Sequence, residues 1–172
     1  KLAAADPSNA QWQYDLSFSH EKIGNVLADS GQREGALAEF RKSLAIREKL
    51  AAANLGNTQW QRELSLSHNR IGDALEAAGQ REEALAEYRK SLAIGEKLTA
   101  ANPGNAQWQR DLWTILFRVA GASDAPRVHF ARALGILRQL DAEGKAAADD
   151  KRWIKVIEQR LAALQPEQAE AR

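Results

Sequence analysis

The feature that most constrains this chain is an echo of itself 48 residues along. Trp12, Trp60 and Trp108 share that spacing, as do His20 and His68, Gly24 and Gly72, and Gly31 and Gly79. Laying Pro7 to Ala53 on Leu55 to Ala101 gives about 30 identities in 47 positions. A third copy keeps Asn105 through Leu112, then diverges and loses about six residues before Phe130. A unit of this size cannot bury its own apolar face. Stacked neighbours bury it together, which makes such a chain an array of similar units.

Each copy reads as two helices. In the second copy the first helix is predicted over about 58–78. Trp60, Leu64, His68, Ile71 and Leu75 recur there at spacings of three and four, one face of a 3.6-residue period. Asn57 is the expected N-cap and Gly79 the expected stop. The second helix is predicted over about 80–101, with Ala84, Leu85, Tyr88, Leu92 and Leu98 on its apolar side. Asn102, Pro103 and Gly104 then turn the chain. Each helix spans roughly 30 Å. β-branched residues are few, and nothing alternates as strands should.

The second copy carries His68-x2-Ile71-Gly72-x2-Leu75, then Ala84-x3-Tyr88. The first carries His20-x2-Ile23-Gly24-x2-Leu27, then Ala36-x3-Phe40. From Gly to Ala is twelve residues in both. This pattern resembles the tetratricopeptide repeat, which places a large residue, Leu-Gly and an aromatic on one helix and Ala-x3-Phe on the next. The period departs from that family's, which is about 34 residues. The extra length falls at the far ends of both helices. His20 and His68 stand where the family often has Trp, and Ser43 and Ser91 where it prefers Ala; Ala133 restores the Ala. The resemblance covers about residues 6 to 143. It implies an all-α, right-handed helix-turn-helix solenoid with a C-terminal capping helix.

The expected organisation follows from the period. Residues 1–5 match 49–53 and read as the tail of a preceding repeat. Residues 6–53, 54–101 and 102–145 form three repeats, the third degenerate. Residues 146–165 form a capping helix and 166–172 a flexible tail. The chain is accordingly expected to be the C-terminal part of a longer, bacterial-type multidomain protein. Trp12, Trp60 and Trp108, with Gly24, Gly72, Phe40, Tyr88 and Phe130, are the expected inter-repeat packing residues. Asp149 or Asp150 is the expected cap of the last helix, whose apolar stripe is Trp153, Ile154, Ile157, Leu161 and Leu164. That helix reads as a cap, or else as a partner-binding element. Trp113 and Phe117, which replace Ser65 and Asn69, are either covered by it or are anchors for a ligand.

On the first helices one face is unchanged between copies and the opposite face varies. Tyr14, Phe18, Glu21, Asn25 and Asp29 give way to Arg62, Leu66, Asn69, Asp73 and Ala77, with Glu76 adding charge nearby. Arg110, Thr114 and Phe117 continue the face into the third copy. These residues lie near 180° from the apolar stripe at 100° per residue. In the family this chain resembles, that face lines the concave groove that holds a peptide or partner. The alternative is a drifting, solvated surface. As a groove it offers Phe18 and Leu66 amid acids, which implies a ligand with an apolar anchor and a basic residue.

Several chemistries are missing from the sequence. There is no cysteine, hence no disulfide or thiolate site, and a cytoplasmic setting is expected. The formal net charge is +1, with basic and acidic residues interspersed, which argues against nucleic acid and anionic membrane. The longest apolar stretch, Leu112 to Ala122, is too short to span a bilayer and carries Arg118. His20-Glu21 opens like a zinc-protease helix, but Gly24 fills the slot of the second histidine. No phosphate-binding glycine loop or nucleophile elbow occurs. No catalytic residue, cofactor or metal is assigned, and the third alternative is a regulatory segment of an enzyme whose catalytic domain lies upstream. The expected partner is a protein or peptide, with self-association through the solenoid ends as the second possibility.

Overall fold

The structure is a computed structural model, and it describes residues 6 and 8–164. The expected repeat tail at 1–5 and flexible tail at 166–172 lie outside the described residues. Among the described residues seven helices follow in order: α1 Ala10–Asp29, α2 Arg33–Ala53, α3 Thr58–Ala77, α4 Arg81–Ala101, α5 Ala106–Ala122, α6 Pro126–Ala142 and α7 Ala148–Ala163. Among the described residues there is no strand. The fold class is all-α, built of helix-turn-helix units.

The tryptophan echo marks helix starts. The side chains of Asn9, Asn57 and Asn105 accept hydrogen bonds from the backbone N–H of Trp12, Trp60 and Trp108 at 3.0, 3.1 and 3.1 Å. Each satisfies one of the orphan donors at a helix N-terminus. The glycine echo marks helix ends. Gly31 and Gly79 both have φ near +78°. Gln32 N–H reaches back to the Leu27 carbonyl at 2.8 Å, and Gln80 N–H to Leu75 at 2.9 Å. This left-handed turn closes the last helical turn, and glycine adopts it without steric cost.

The chain divides into two compact units, Lys1–Ile94 and Gly95–Arg172, with the boundary inside α4. In the first unit, consecutive helices run antiparallel. A Cβ placed on Gly24 would lie 2.5 Å from Phe40 Cε1, and one on Gly72 would lie 2.6 Å from Tyr88 Cδ1. The glycines therefore let an aromatic ring of α2 or α4 lie against the backbone of α1 or α3. This corrects the expectation for Gly24, Gly72, Phe40 and Tyr88: the contact joins the two helices of one repeat, not two repeats. Trp60 is half-buried and shares a cleft with Ile46, Leu50 and Ala53. Trp12 and Trp108 are also half-buried.

The second unit has a drier centre. Leu112, Ile115, Leu116, Val119, Phe130, Leu137, Leu140 and Ile157 are all buried. α7 lies against α6 and reaches α5. Trp153 packs on Trp113 at 5.9 Å between ring centroids and edge-on to Phe117 at 4.9 Å. Phe117 also meets Phe130 at 5.4 Å. The N-cap of α7 is Ala147, so neither aspartate caps it in the expected way. Asp150 sits at the third helical position, where its carboxylate accepts from the Ala147 N–H at 2.8 Å and from Arg110 Nε at 3.1 Å.

Candidate interaction site

The varying face of the first helices is not a single open surface. Part of it meets the next first helix. Glu21 is buried. Its carboxylate takes Arg47 Nη1 at 2.7 Å and Arg70 Nη2 at 3.1 Å. Arg47 comes from α2, and its side chain is 1% exposed. Its guanidinium also lies 3.2 Å from Glu63 Oε2, donates to Ser67 Oγ at 2.8 Å and approaches Ser17 Oγ at 3.3 Å. Arg70 Nη1 donates to Asn25 Oδ1 at 3.3 Å. Burial, with the Glu63 carboxylate nearby, pushes the Tyr14 phenol above its ordinary 10.0. Tyr14, Glu21 and Asn25 thus look toward α3. The negative charge expected of Glu21 is already neutralised by two arginines. First helices packed side by side explain this: the side opposite the backward-facing stripe meets the helix that follows.

The third copy of the face is covered in the same way. Arg110 pairs with Asp150 and donates to the Lys145 carbonyl. Phe117 carries the Trp153 ring, and Thr114 lines a cavity of about 390 Å³ with Trp113, Phe117, Arg118 and Trp153. Arg110 and Phe117 are therefore occupied by the chain's own last helix and its approach, while Thr114 lines the cavity beside them.

What stays open is narrower. Phe18 is 43% exposed, with Lys22 Nζ 4.7 Å from its ring centroid. Asp29 and Glu76 are exposed; Arg62, Leu66 and Asp73 are half-buried; Asn69 is buried. A cleft of about 370 Å³ opens where the far ends of α1 and α3 meet the start of α2. Its walls are small and apolar, from Ala28, Ala36, Ala74 and Ala77, with the Phe40 ring at the back. Asn25, Arg33, Arg70 and Asp73 supply the polar groups.

The acids beside this cleft have partners. The Tyr88 hydroxyl lies 2.8 Å from Asp73 Oδ1 and 2.9 Å from Glu76 Oε2, to which it donates. Burial, then the Asp73 carboxylate, push its ionisation far above the ordinary tyrosine range. The first copy has Phe40, Asn25 and Ala28 at these three positions, so the arrangement belongs to the second copy.

The histidines hold the helices of one repeat together. His20 Nδ1 lies 2.6 Å from Glu39, and His68 Nδ1 lies 2.6 Å from Glu87. Lys42 and Lys90 complete each set at 2.6 Å. Hydrogen bonds from Lys42 and then His20 hold Glu39 below its usual range. Burial raises Glu87, but bonds from Lys90 and His68 outweigh it and lower that carboxyl as well.

The buried arginine is the group that sequence reasoning missed. Interspersed acids and bases do not show which of them is buried. The signal was in the copies: Arg47 becomes Gly95, Glu21 becomes Asn69 and Ser67 becomes Ile115. Residues that change together at one repeat spacing share a contact.

Among the described residues, no group of three or more His, Asp or Glu could hold a metal ion. Among the same residues, no helix is long and apolar enough to cross a membrane. No curated protein matches the chain. Residues 21–54, from the middle of α1 through the end of α2, match the family model described as tetratricopeptide repeat. Repeats of this kind serve in general as protein-interaction scaffolds. The glycine-on-aromatic contact between α1 and α2 falls inside the matched segment, and its counterpart recurs 48 residues later between α3 and α4, outside that segment.

Proposed function

We propose that this chain is a protein- or peptide-binding scaffold without catalytic activity of its own. We further propose that its ligand site is the cleft at the far ends of α1 and α3. The cleft itself carries the reading: about 370 Å³, walled by alanines and closed by Phe40, it fits one apolar side chain of a partner. Asn25, Arg70 and Asp73 at its edge provide hydrogen-bonding groups to orient the backbone that delivers that side chain. Phe18 and Leu66 extend the contact along the first helices. An apolar anchor seated in such a pocket supplies most of the affinity, while charges set approach and selectivity.

The first test is selection of peptides from a random library on the intact chain, followed by affinity measurement on Ala77→Trp. Ala77 is an exposed lining residue, so the indole fills the cleft without entering the core. Selected peptides should share one large apolar residue and lose roughly tenfold or more in affinity, the scale of one well-buried anchor. Equal binding to Ala77→Trp would place the ligand elsewhere. Reversing Asp73 and Glu76 to lysine is a poorer test alone, because it strips the buried Tyr88 hydroxyl of both acceptors. It should be made in a Tyr88→Phe background, which restores the residue type of the first copy.

A further inference from the structure

The last helix covers the third copy of the varying face without filling the space beneath it. Trp113, Thr114, Phe117, Arg118 and Trp153, from α5 and α7, line a cavity of about 390 Å³. Its aromatic walls are close-set, with Trp153 at 5.9 Å from Trp113 and 4.9 Å from Phe117 between ring centroids. Thr114, Phe117, Arg118 and Trp153 are half-buried, so the cavity reaches the surface. Trp113 is 5% exposed. Its Nε1 is buried and has no acceptor among the described residues. A buried indole N–H ordinarily finds a partner, and a buried donor left without one is costly. Ring packing under a covering helix does not require that nitrogen; a phenylalanine would serve. The earlier copies have Ser17 and Ser65 in place of Trp113, and Glu21 and Asn69 in place of Phe117. The aromatic walls are therefore particular to this site and no part of the repeat pattern.

Aromatic walls alone would also suit a cation. Here the positive charge is already in place. Arg118 lines the cavity, and the Arg160 guanidinium lies 5.4 Å from the Phe117 ring centroid. None of the described lining residues is acidic. We propose that this cavity binds a small planar aromatic acid. The three rings take its apolar body, Trp113 Nε1 donates to its carboxylate, and Arg118 balances the charge. The size agrees. A cavity of about 150 Å³ holds benzene, so about 390 Å³ admits two fused rings with a carboxylate. The site shares no lining residue with the cleft of α1 and α3 and does not depend on the ligand assigned there.

The test uses the full chain and three probes: 2-naphthoate, its methyl ester and 2-naphthylmethylammonium. Calorimetry should rank them in that order, with the acid bound about tenfold or more tighter than the ammonium. The Trp113 indole N–H, assigned in NMR spectra through Trp113→Phe, should move downfield as it gains an acceptor. Thr114→Met fills the cavity and leaves the rings in place, at the loss of one hydrogen bond within α5. It should weaken naphthoate binding by about tenfold or more. Ala77→Trp, in the other cleft, should leave it unchanged. If Thr114→Met disturbs the fold, Arg118→Gln is the second variant. It should reduce the acid to the affinity of the ester and leave the ester as it was. No binding of naphthoate, equal binding of acid and ammonium, or naphthoate affinity untouched by these variants would overturn the assignment. So would dimerisation that Thr114→Met abolishes, because a second copy would then be the occupant.

Discussion

Arg47 and Gly95 occupy the same position one period apart, and their surroundings are opposites. Around Arg47 the first unit buries a guanidinium with two carboxylates and two hydroxyls. Around Gly95 the second unit has Ile115 and Leu112; a Cβ there would lie 3.1 and 3.6 Å from their Cδ1 atoms. One helix-turn-helix scaffold thus tolerates an ionic contact and an apolar one at equivalent places. The ionic version is fragile by construction. Charges taken out of water must be matched, and removing one partner strands the others. The apolar version depends on volume alone. The serines follow the same division. In the second copy Ser65 and Ser91 bond each other and each other's carbonyls at 2.8 to 3.2 Å. In the first copy Arg47 draws on Ser17, and Ser43 Oγ is buried without a partner.

The largest effect should come from Arg47→Ala. It leaves Glu21 and Glu63 facing one another across a buried gap, with Arg70 matching Glu21 only in part. A loss of about 3–5 kcal/mol is expected. Urea unfolding should show it, with amide exchange locating the loss in α1 to α3. Arg47→Met combined with Glu21→Gln and Glu63→Gln should recover most of it, because paired removal of charges is far cheaper than single removal. If the single change costs under about 1 kcal/mol, the cluster is solvated and the contrast with Gly95 collapses.

Much of the fold was legible before any coordinates. The period placed the helices, Asn57 and Gly79 placed the ends of α3, and all three fall where the structure has them. These are local signals, readable from one stretch of chain. The site was less legible. The variable face lies on the first helices, but periodicity does not say which neighbour a helix side meets. Glu21 and Asn25 face α3, and Arg110 and Phe117 are covered by α7, because burial there depends on packing across a whole repeat. Tyr88 gave a partial clue: a phenol in place of Phe40 needs an acceptor, and Asp73 and Glu76 are new in the same copy.

Glycine substitutions sharpen the comparison on a smaller scale. Gly72→Ala drives a methyl into the Tyr88 ring, which is backed by two hydrogen bonds and cannot easily move. Overpacking of this kind should cost about 1–3 kcal/mol. Gly95→Ala meets only the tip of Ile115, and it removes a glycine from a helix interior, worth about 1 kcal/mol in its favour. It should be neutral or slightly stabilising. Thermal unfolding of the two variants checks the contrast, and equal losses would mean that the Gly95 surroundings are as rigid as the tyrosine site.

Ser65→Ala comes next. It removes the hydroxyl that bridges to Ser91 but leaves the Ser91 hydroxyl bonded to the residue 65 carbonyl, at 2.9 Å in the native chain. Both contacts of the Ser65 hydroxyl, to the Ser91 hydroxyl and carbonyl, are lost while the Ser91 hydroxyl stays satisfied, so the cost should be about 1 kcal/mol. Ser43→Ala in the first copy should cost less or even stabilise, since it deletes a buried oxygen that bonds nothing. Equilibrium denaturation of both variants decides between the two copies. A larger loss from Ser43 would show that its hydroxyl has a partner in solution.

The smallest effect concerns pH, and it compares two sets that the copies share. Glu39 and Glu87 are both held below the ordinary 4.5 in the folded chain. A carboxylate depressed on folding stabilises the fold above its unfolded pKa, and that contribution disappears as pH falls through the folded value. Stability should therefore decline as pH drops below about 4.5, and each glutamate should account for part of the slope. The share is only a few tenths of a kcal/mol, roughly, because Lys42 and Lys90 are exposed and screened by solvent. Burial acts against Glu87, so it contributes more than Glu39 only where its less exposed histidine partner, 7% against 22% for His20, strengthens the bond by more than burial costs. Comparing urea midpoints of Glu39→Gln and Glu87→Gln with the parent near pH 6 and pH 3.5 measures both shares. Where the bond wins, Glu87→Gln should flatten the pH dependence more. If Glu39→Gln flattens it equally, the added burial around His68 does not strengthen that bond by more than it costs.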